Sequence, residues 1–236
     1  MNKVAGLDGC KAGWLMFYKN NNHYSFRLIS SIKAGRPILE ECSKIFIDMP
    51  IGLSSQGFKR GIEKQMRQLL KNRSSTIFTP PCREALALSD YKKANPKNKA
   101  ITGKGLSIQA FNIGKKIKEV DNFIENASHI ELAESHPEIC FKVLKGEVLQ
   151  SKKNTASGID ERFNLINSYS ANLAESVRQA LNCYPKTKVQ PDDIVDAAGL
   201  CLSAEISLYF NTLIWRDKEL KDKEGRKIYI EAGQYL

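Results

Sequence analysis

No two of the six cysteines fall in a Cys-x-x-Cys arrangement, and the three histidines form no His-x-x-x-His pair. These spacings exclude the usual zinc cages. The cysteines stand singly at 10, 42, 82, 140, 183 and 201, mostly in apolar surroundings such as Ile139-Cys140-Phe141. They read as buried thiols of a reduced protein. No apolar run reaches membrane-spanning length, so no membrane partner is expected. No signal-peptide-like apolar region opens the chain, and a cytoplasmic protein is expected. Internal repeats and low-complexity tracts are also missing.

What is present is ordinary in amount and uneven in sign. Hydrophobic residues make up 42% of the 236 residues and charged residues 26%, as in a soluble globular chain able to bury its own core. The formal net charge is +10, which favours an anionic partner, nucleic acid first. The length fits one domain with an insertion.

The acids stand out by position. The apolar stretch Val4-Ala5-Gly6-Leu7 delivers Asp8, and a Gly-bearing segment follows before a second apolar run, Trp14 to Tyr18. The pattern predicts a strand over 3–8, a tight turn and a strand over 13–19, with Asp8 at the lip of a sheet. Asp8-Gly9 taken alone is equally well turn chemistry. Asn20-Asn21-Asn22 marks another turn, and 23–29 alternates as a third strand, completing an antiparallel meander. A short helix is expected around 36–43, with Pro37 in its first turn. Ile45-Phe46-Ile47 then delivers Asp48 to a second strand end, and Pro50 keeps Met49 extended. Ligands of open α/β sheets bind beyond the carboxyl ends of strands, where both aspartates fall.

A basic amphipathic helix is predicted over 59–71. The stretch 73–83 mixes arginines, hydroxyls and Pro80-Pro81, a composition suited either to holding phosphate or to a stiff linker. Helical signals at 84–94 are broken by Asn95-Pro96-Lys97-Asn98-Lys99, and one long helix is expected over 106–125. A strand over 129–134 brings Glu134 near its end, and His136-Pro137 opens a helix with Glu138 in its first turn. A Lys-rich loop at 146–158 precedes helices over 159–169 and 171–182. Pro191 opens a helix reaching about 210. Asp192 and Asp193 sit in its first turn, where the helix dipole favours them. Asp196 lies beyond that turn, on the same face as Asp193, and the small residues after it suit close approach to a sheet. A peripheral hairpin follows, with a Lys/Glu-rich turn at 217–227.

The candidate set is therefore Asp8, Asp48, Glu134, Asp193 and Asp196. Carboxylates without cysteine ligands suit Mg²⁺ or Mn²⁺. Two such ions roughly 4 Å apart clamp the attacking and leaving oxygens of a phosphodiester. Without a cation the carboxylates would repel and raise one another's pKa.

Six motifs occur in order: Gly6-Leu7-Asp8-Gly9 with Gly13-Trp14, Ile47-Asp48-Met49-Pro50-Ile51-Gly52-Leu53, Arg73-Ser74-Ser75, Pro80-Pro81-Cys82-Arg83, Glu134-Ser135-His136-Pro137-Glu138, and Asp193-Ile194-Val195-Asp196-Ala197. The chain resembles the ribonuclease H-like superfamily, its last helix resembles that of RuvC-type resolvases, and the whole most resembles the DUF429 family, predicted to be ribonuclease H-like nucleases. The resemblance spans about residues 3–236. It implies an α/β fold: a ribonuclease H-like five-stranded mixed sheet with helices on both faces, in one domain with a helical insertion at about 55–127. It also implies two Mg²⁺ or Mn²⁺ ions, bridged by Asp8, with Asp48 and Asp196 each holding one and Asp193 or Glu134 completing a shell. Arg67, Arg73 and Arg83 are the expected phosphate holders. The expected function is a metal-dependent nuclease acting on RNA or DNA. Two alternatives are a non-catalytic nucleic-acid or protein-binding module and an actin/hexokinase-like phosphotransferase. Against the latter, Asp8-Gly9-Cys10-Lys11 lacks the expected glycine two residues after Asp8.

Overall fold

In the computed structural model, which describes residues 3–127 and 129–235, the opening apolar runs form β1 (Lys3–Cys10), β2 (Gly13–Asn20) and β3 (His23–Ile29). Asn21 makes the second turn with φ +57°, a left-handed conformation that asparagine tolerates. The first turn is Lys11-Ala12, because Cys10 still pairs with Gly13. Asp8 and Gly9 pair with Leu15 and Trp14 inside the antiparallel ladder, which excludes turn chemistry for Asp8-Gly9. β4 (Cys42–Ile47) and β5 (Leu132–Glu134) add in parallel. The result is an α/β fold with a five-stranded mixed sheet in the order β3-β2-β1-β4-β5, flanked by helices.

The helices are α1 (Arg36–Leu39), α2 (Ile62–Leu70), α3 (Arg83–Leu86), α4 (Tyr91–Thr102), α5 (Ile108–Asn112), α6 (Gly114–Asn126), α7 (Pro137–Lys145), α8 (Ala156–Tyr169), α9 (Ala171–Cys183) and α10 (Pro191–Tyr209). A two-stranded hairpin, β6 (Asn211–Lys221) and β7 (Lys227–Gln234), follows. No helix among the described residues is long and apolar enough to cross a membrane.

Two compact units emerge. The first, residues 1–49, 127–214 and 231–236, holds the five-stranded sheet and α7 to α10. Its key packing is α10 on β1. A methyl group at Gly6 would sit 2.2 Å from the Cys201 amide nitrogen and 2.5 Å from the Ala197 carbonyl oxygen. Helix backbone rests directly on strand backbone there, which the small residues Ala197 and Ala198 permit. Neither backbone can yield locally, so Gly6→Ala is expected to cost at the upper end of the overpacking range, about 3 kcal/mol. A urea titration reads this as a lowered midpoint at unchanged slope.

The second unit, residues 50–126 and 215–230, holds α2 to α6. It carries 21 Lys and Arg against 10 Asp and Glu, a net of +11, whereas the first unit carries 15 against 16, a net of −1. The whole basic excess therefore belongs to this unit. Two helix expectations change here. Asn95 to Lys99 does not break the helix but lies within α4, with Pro96 inside it. The Asn98 side chain accepts from the Cys82 amide at 2.8 Å and donates to the Lys104 carbonyl at 2.9 Å, and Asn95 accepts from the Leu106 amide at 2.8 Å. These bonds hold both asparagines in helical conformation against the local bias of Pro96. The helix expected over 106–125 is instead α5 and α6, broken between Asn112 and Gly114.

Candidate active site

Strand register decides which acids meet. Gly6 lies beside Phe46, and Leu7 beside Ile47, in the parallel pair. Successive side chains alternate between faces. Gly6 faces α10, so Asp8, two residues on, faces it as well. Asp48 follows Phe46 by two, and its amide donates to the Leu7 carbonyl at 3.0 Å, carrying the pairing past the strand end. Asp196 meets them from above, one residue before the Ala197 carbonyl that rests on Gly6, and is fully buried.

A fourth group joins these three. Lys153 reaches in from the loop before α8, its Nζ 2.7 Å from Asp196 Oδ2 and 3.7 Å from Asp192 Oδ2. The other oxygen, Asp196 Oδ1, is buried without a hydrogen-bond partner. Burial, then the charges of Asp48 and Asp196, push the Asp8 carboxyl well above the usual range, and the Lys153 charge opposes this. Burial pushes Asp48 up to about 7, with Asp196 adding to the rise and Lys153 opposing it. Lys153 is in turn held protonated, chiefly by Asp196 and then by Asp8 and Asp48, against the effect of its burial. Beneath the acids, the Cys140 thiol is pushed up to about 11 by burial and lies 3.1 Å from the Ser135 hydroxyl.

The Lys153 loop is tightly built. The Glu161 carboxylate accepts from the Ser151 amide at 2.9 Å, and the Thr155 hydroxyl caps α8 by accepting from the Gly158 amide at 3.1 Å. Arg162, fully buried, pairs with the buried Glu138 and donates to the Gly158 carbonyl at 2.8 Å. A methyl at Gly158 would stand 1.9 Å from the Lys152 carbonyl oxygen, so only glycine allows the loop to close against α8. Lys153 carries no signal in the sequence, because it sits beside Lys152 in a Lys-rich loop. The spacing of Glu138, Gly158 and Arg162 carries no linear signature either.

Of the other expected residues, Glu134 and Asp193 belong to the first unit and Arg67, Arg73 and Arg83 to the second. Glu134 pairs with Ile47, which puts it on the Leu7 face of the sheet, opposite Asp8 and Asp48, where it is buried. Asp193 caps α10, with Oδ2 accepting from the Gln190 amide at 2.8 Å. Burial pushes it up to about 6 against that hydrogen bond, and its charge still acts on Asp8. Arg67 is committed to structure, donating to the Ile77 carbonyl at 3.0 Å and the Thr79 hydroxyl at 2.9 Å. Arg83 pairs with Asp121 at 2.7 Å and with the buried Asp222. Arg73 lies in a 3₁₀ turn, its carbonyl accepting from Thr76 Oγ1 at 2.8 Å.

The donor chemistry of Asp8, Asp48 and Asp196 fits a hard divalent cation, all carboxylate with one buried oxygen open. Yet no three His, Cys, Asp or Glu side chains among the described residues are arranged to enclose an ion. The positive charge among them is the Lys153 ammonium.

The sequence of residues 6–208 matches a family described as a protein of unknown function, DUF429. The chain belongs to DUF429. No curated protein and no solved structure matches it. In this member of DUF429, the match takes in Asp8, Asp48, Lys153 and Asp196.

The raised carboxyls predict a pH dependence. Asp48 keeps its proton to about 7 in the folded chain, whereas the unfolded chain releases it near 3.9. Across that window the unfolded state binds fewer protons, so the contribution of Asp48 to stability falls as pH rises. In EDTA the melting temperature of Asp48→Asn should gain on wild type between pH 5 and 7. Parallel curves would show that Asp48 titrates normally.

Proposed function

We propose that this chain is a metal-dependent nuclease acting on RNA or DNA. The observation that carries the reading is the meeting of Asp8, Asp48 and Asp196 on one face, with an unpartnered carboxylate oxygen on Asp196. A bound Mg²⁺ or Mn²⁺ supplies Lewis-acid activation of the phosphodiester. Asp8, Asp48 and Asp196 would hold the ion, and the burial of Asp8 and Asp196 would limit its screening by bulk water. Asp193 orients the start of α10 and so the reach of Asp196. The net of +11 on the second unit supports a polyanionic partner, bound through solvent-exposed lysines such as Lys92, Lys93, Lys97 and Lys99 of α4.

One observation favours a second reading. The Lys153 ammonium among the acids suits a protein that neutralises them permanently and binds nucleic acid without cutting it. Labelled single- and double-stranded RNA and DNA, incubated with Mn²⁺, separate the two. Cleavage that EDTA abolishes supports the nuclease. Affinity that falls steeply with salt, with no turnover in Mg²⁺ or Mn²⁺, supports the binding module.

A further inference from the structure

The cation that balances the acids is covalently part of the chain. The Lys153 ammonium binds Asp196 Oδ2 at 2.7 Å and acts electrostatically on Asp8 and Asp48, while Asp196 Oδ1 stays buried and unpartnered. Two features place it there deliberately. The buried Arg162–Glu138 pair, the Glu161 carboxylate and the glycine at 158 fix the loop on either side of it. The Lys153 side chain also keeps a way out. It is 38% exposed, and Asp192, half-buried at the start of α10, lies 3.7 Å from its Nζ.

We infer that Lys153 is the resident counter-ion of the candidate metal site and that a divalent ion binds by displacing its ammonium from Asp8, Asp48 and Asp196 toward Asp192. The inference rests on the metal-site reading above and deepens it. The net charge of the acids and their cation explains the exchange. Once Asp8 and Asp48 have released their protons, three carboxylates around one ammonium leave charge for a divalent ion to satisfy, but ammonium and ion cannot both lie against Asp196 without repulsion. Lys153 thus holds the acids together when no metal is present and lowers the apparent affinity when metal is added. It is a positioning residue that sets the metal threshold.

The test is a Mn²⁺ titration by calorimetry on wild type, Lys153→Met and Lys153→Arg, with melting temperatures in EDTA and in Mn²⁺. Lys153→Met should bind Mn²⁺ at least tenfold more tightly than wild type. It should melt lower in EDTA and recover in Mn²⁺. Lys153→Arg, which keeps the charge, should stay close to wild type in both. Unchanged or weaker Mn²⁺ binding by Lys153→Met overturns the exchange and leaves the nuclease reading standing. No binding by any of the three overturns both. Tighter binding without cleavage of any nucleic acid upholds the exchange and removes the nuclease. Should Lys153→Met fail to fold, labelling of wild type by an amine-reactive ester decides the matter. Saturating Mn²⁺ should raise modification of Lys153 several-fold by mass spectrometry, and an unchanged or reduced yield overturns the exchange.

Discussion

Asp8→Asn should abolish Mn²⁺-dependent cleavage, by on the order of 10³-fold or more, while raising the melting temperature in EDTA. The two effects share one cause. Asp8 sits centrally, with Asp48, Asp196 and Lys153 all acting on its carboxyl. An ion at this site would need that carboxylate, whereas in EDTA its negative charge is opposed by burial and by Asp48 and Asp196. Asparagine keeps the shape and can still accept from the Gly9 amide, the 2.7 Å bond that Asp8 Oδ1 makes now. It removes only the charge. A merely structural aspartate would behave in the opposite way, with stability falling and cleavage unchanged. An assay of both quantities on the same preparation therefore separates site from scaffold. The stabilisation also excludes the trivial explanation that the variant is inactive because it is unfolded.

Arg162→Met should cost about 3–5 kcal/mol, because it leaves Glu138 buried without its charge partner. Arg162 is fully buried and Glu138 is 3% exposed, so their carboxylate–guanidinium contact is enclosed on both sides. The same guanidinium holds the Gly158 carbonyl, so its loss also loosens the loop that presents Lys153. Pairing the change with Glu138→Leu should restore most of the stability, since replacing both ions by apolar groups removes the unpaired charge. Denaturant titrations of the two single variants and the double give the coupling directly. A single variant near wild-type stability would show that water reaches Glu138.

The division between what the sequence reveals and what it hides follows the range of each interaction. The meander is legible because β1, β2 and β3 are consecutive and local, with turns marked by Gly13 and Asn21. The position of α10 is legible because small residues follow Asp196, and the contact with Gly6 is what they are for. Glu134 shows the limit. β5 is only three residues long, and its face depends on a register with β4 that no local pattern encodes. Arg67 and Arg83 illustrate another: composition marks a residue as basic, but not whether a carbonyl, as for Arg67, or a distant acid, such as Asp222 for Arg83, already holds it. Pro96 within α4 is a third, where tertiary hydrogen bonds to Asn95 and Asn98 overrule propensity. Lys153 combines all three difficulties, being a common residue in an unpatterned loop whose partners lie on α10 and on the ends of β1 and β4.

Calorimetric titration of Mn²⁺ into wild type and Asp8→Asn tests the central claim most directly, since it requires no substrate. Saturable binding in wild type that Asp8→Asn removes is the expected result, and it places a cation among Asp8, Asp48 and Asp196. Binding of equal strength in both proteins, or none in wild type, contradicts a metal site at these carboxylates.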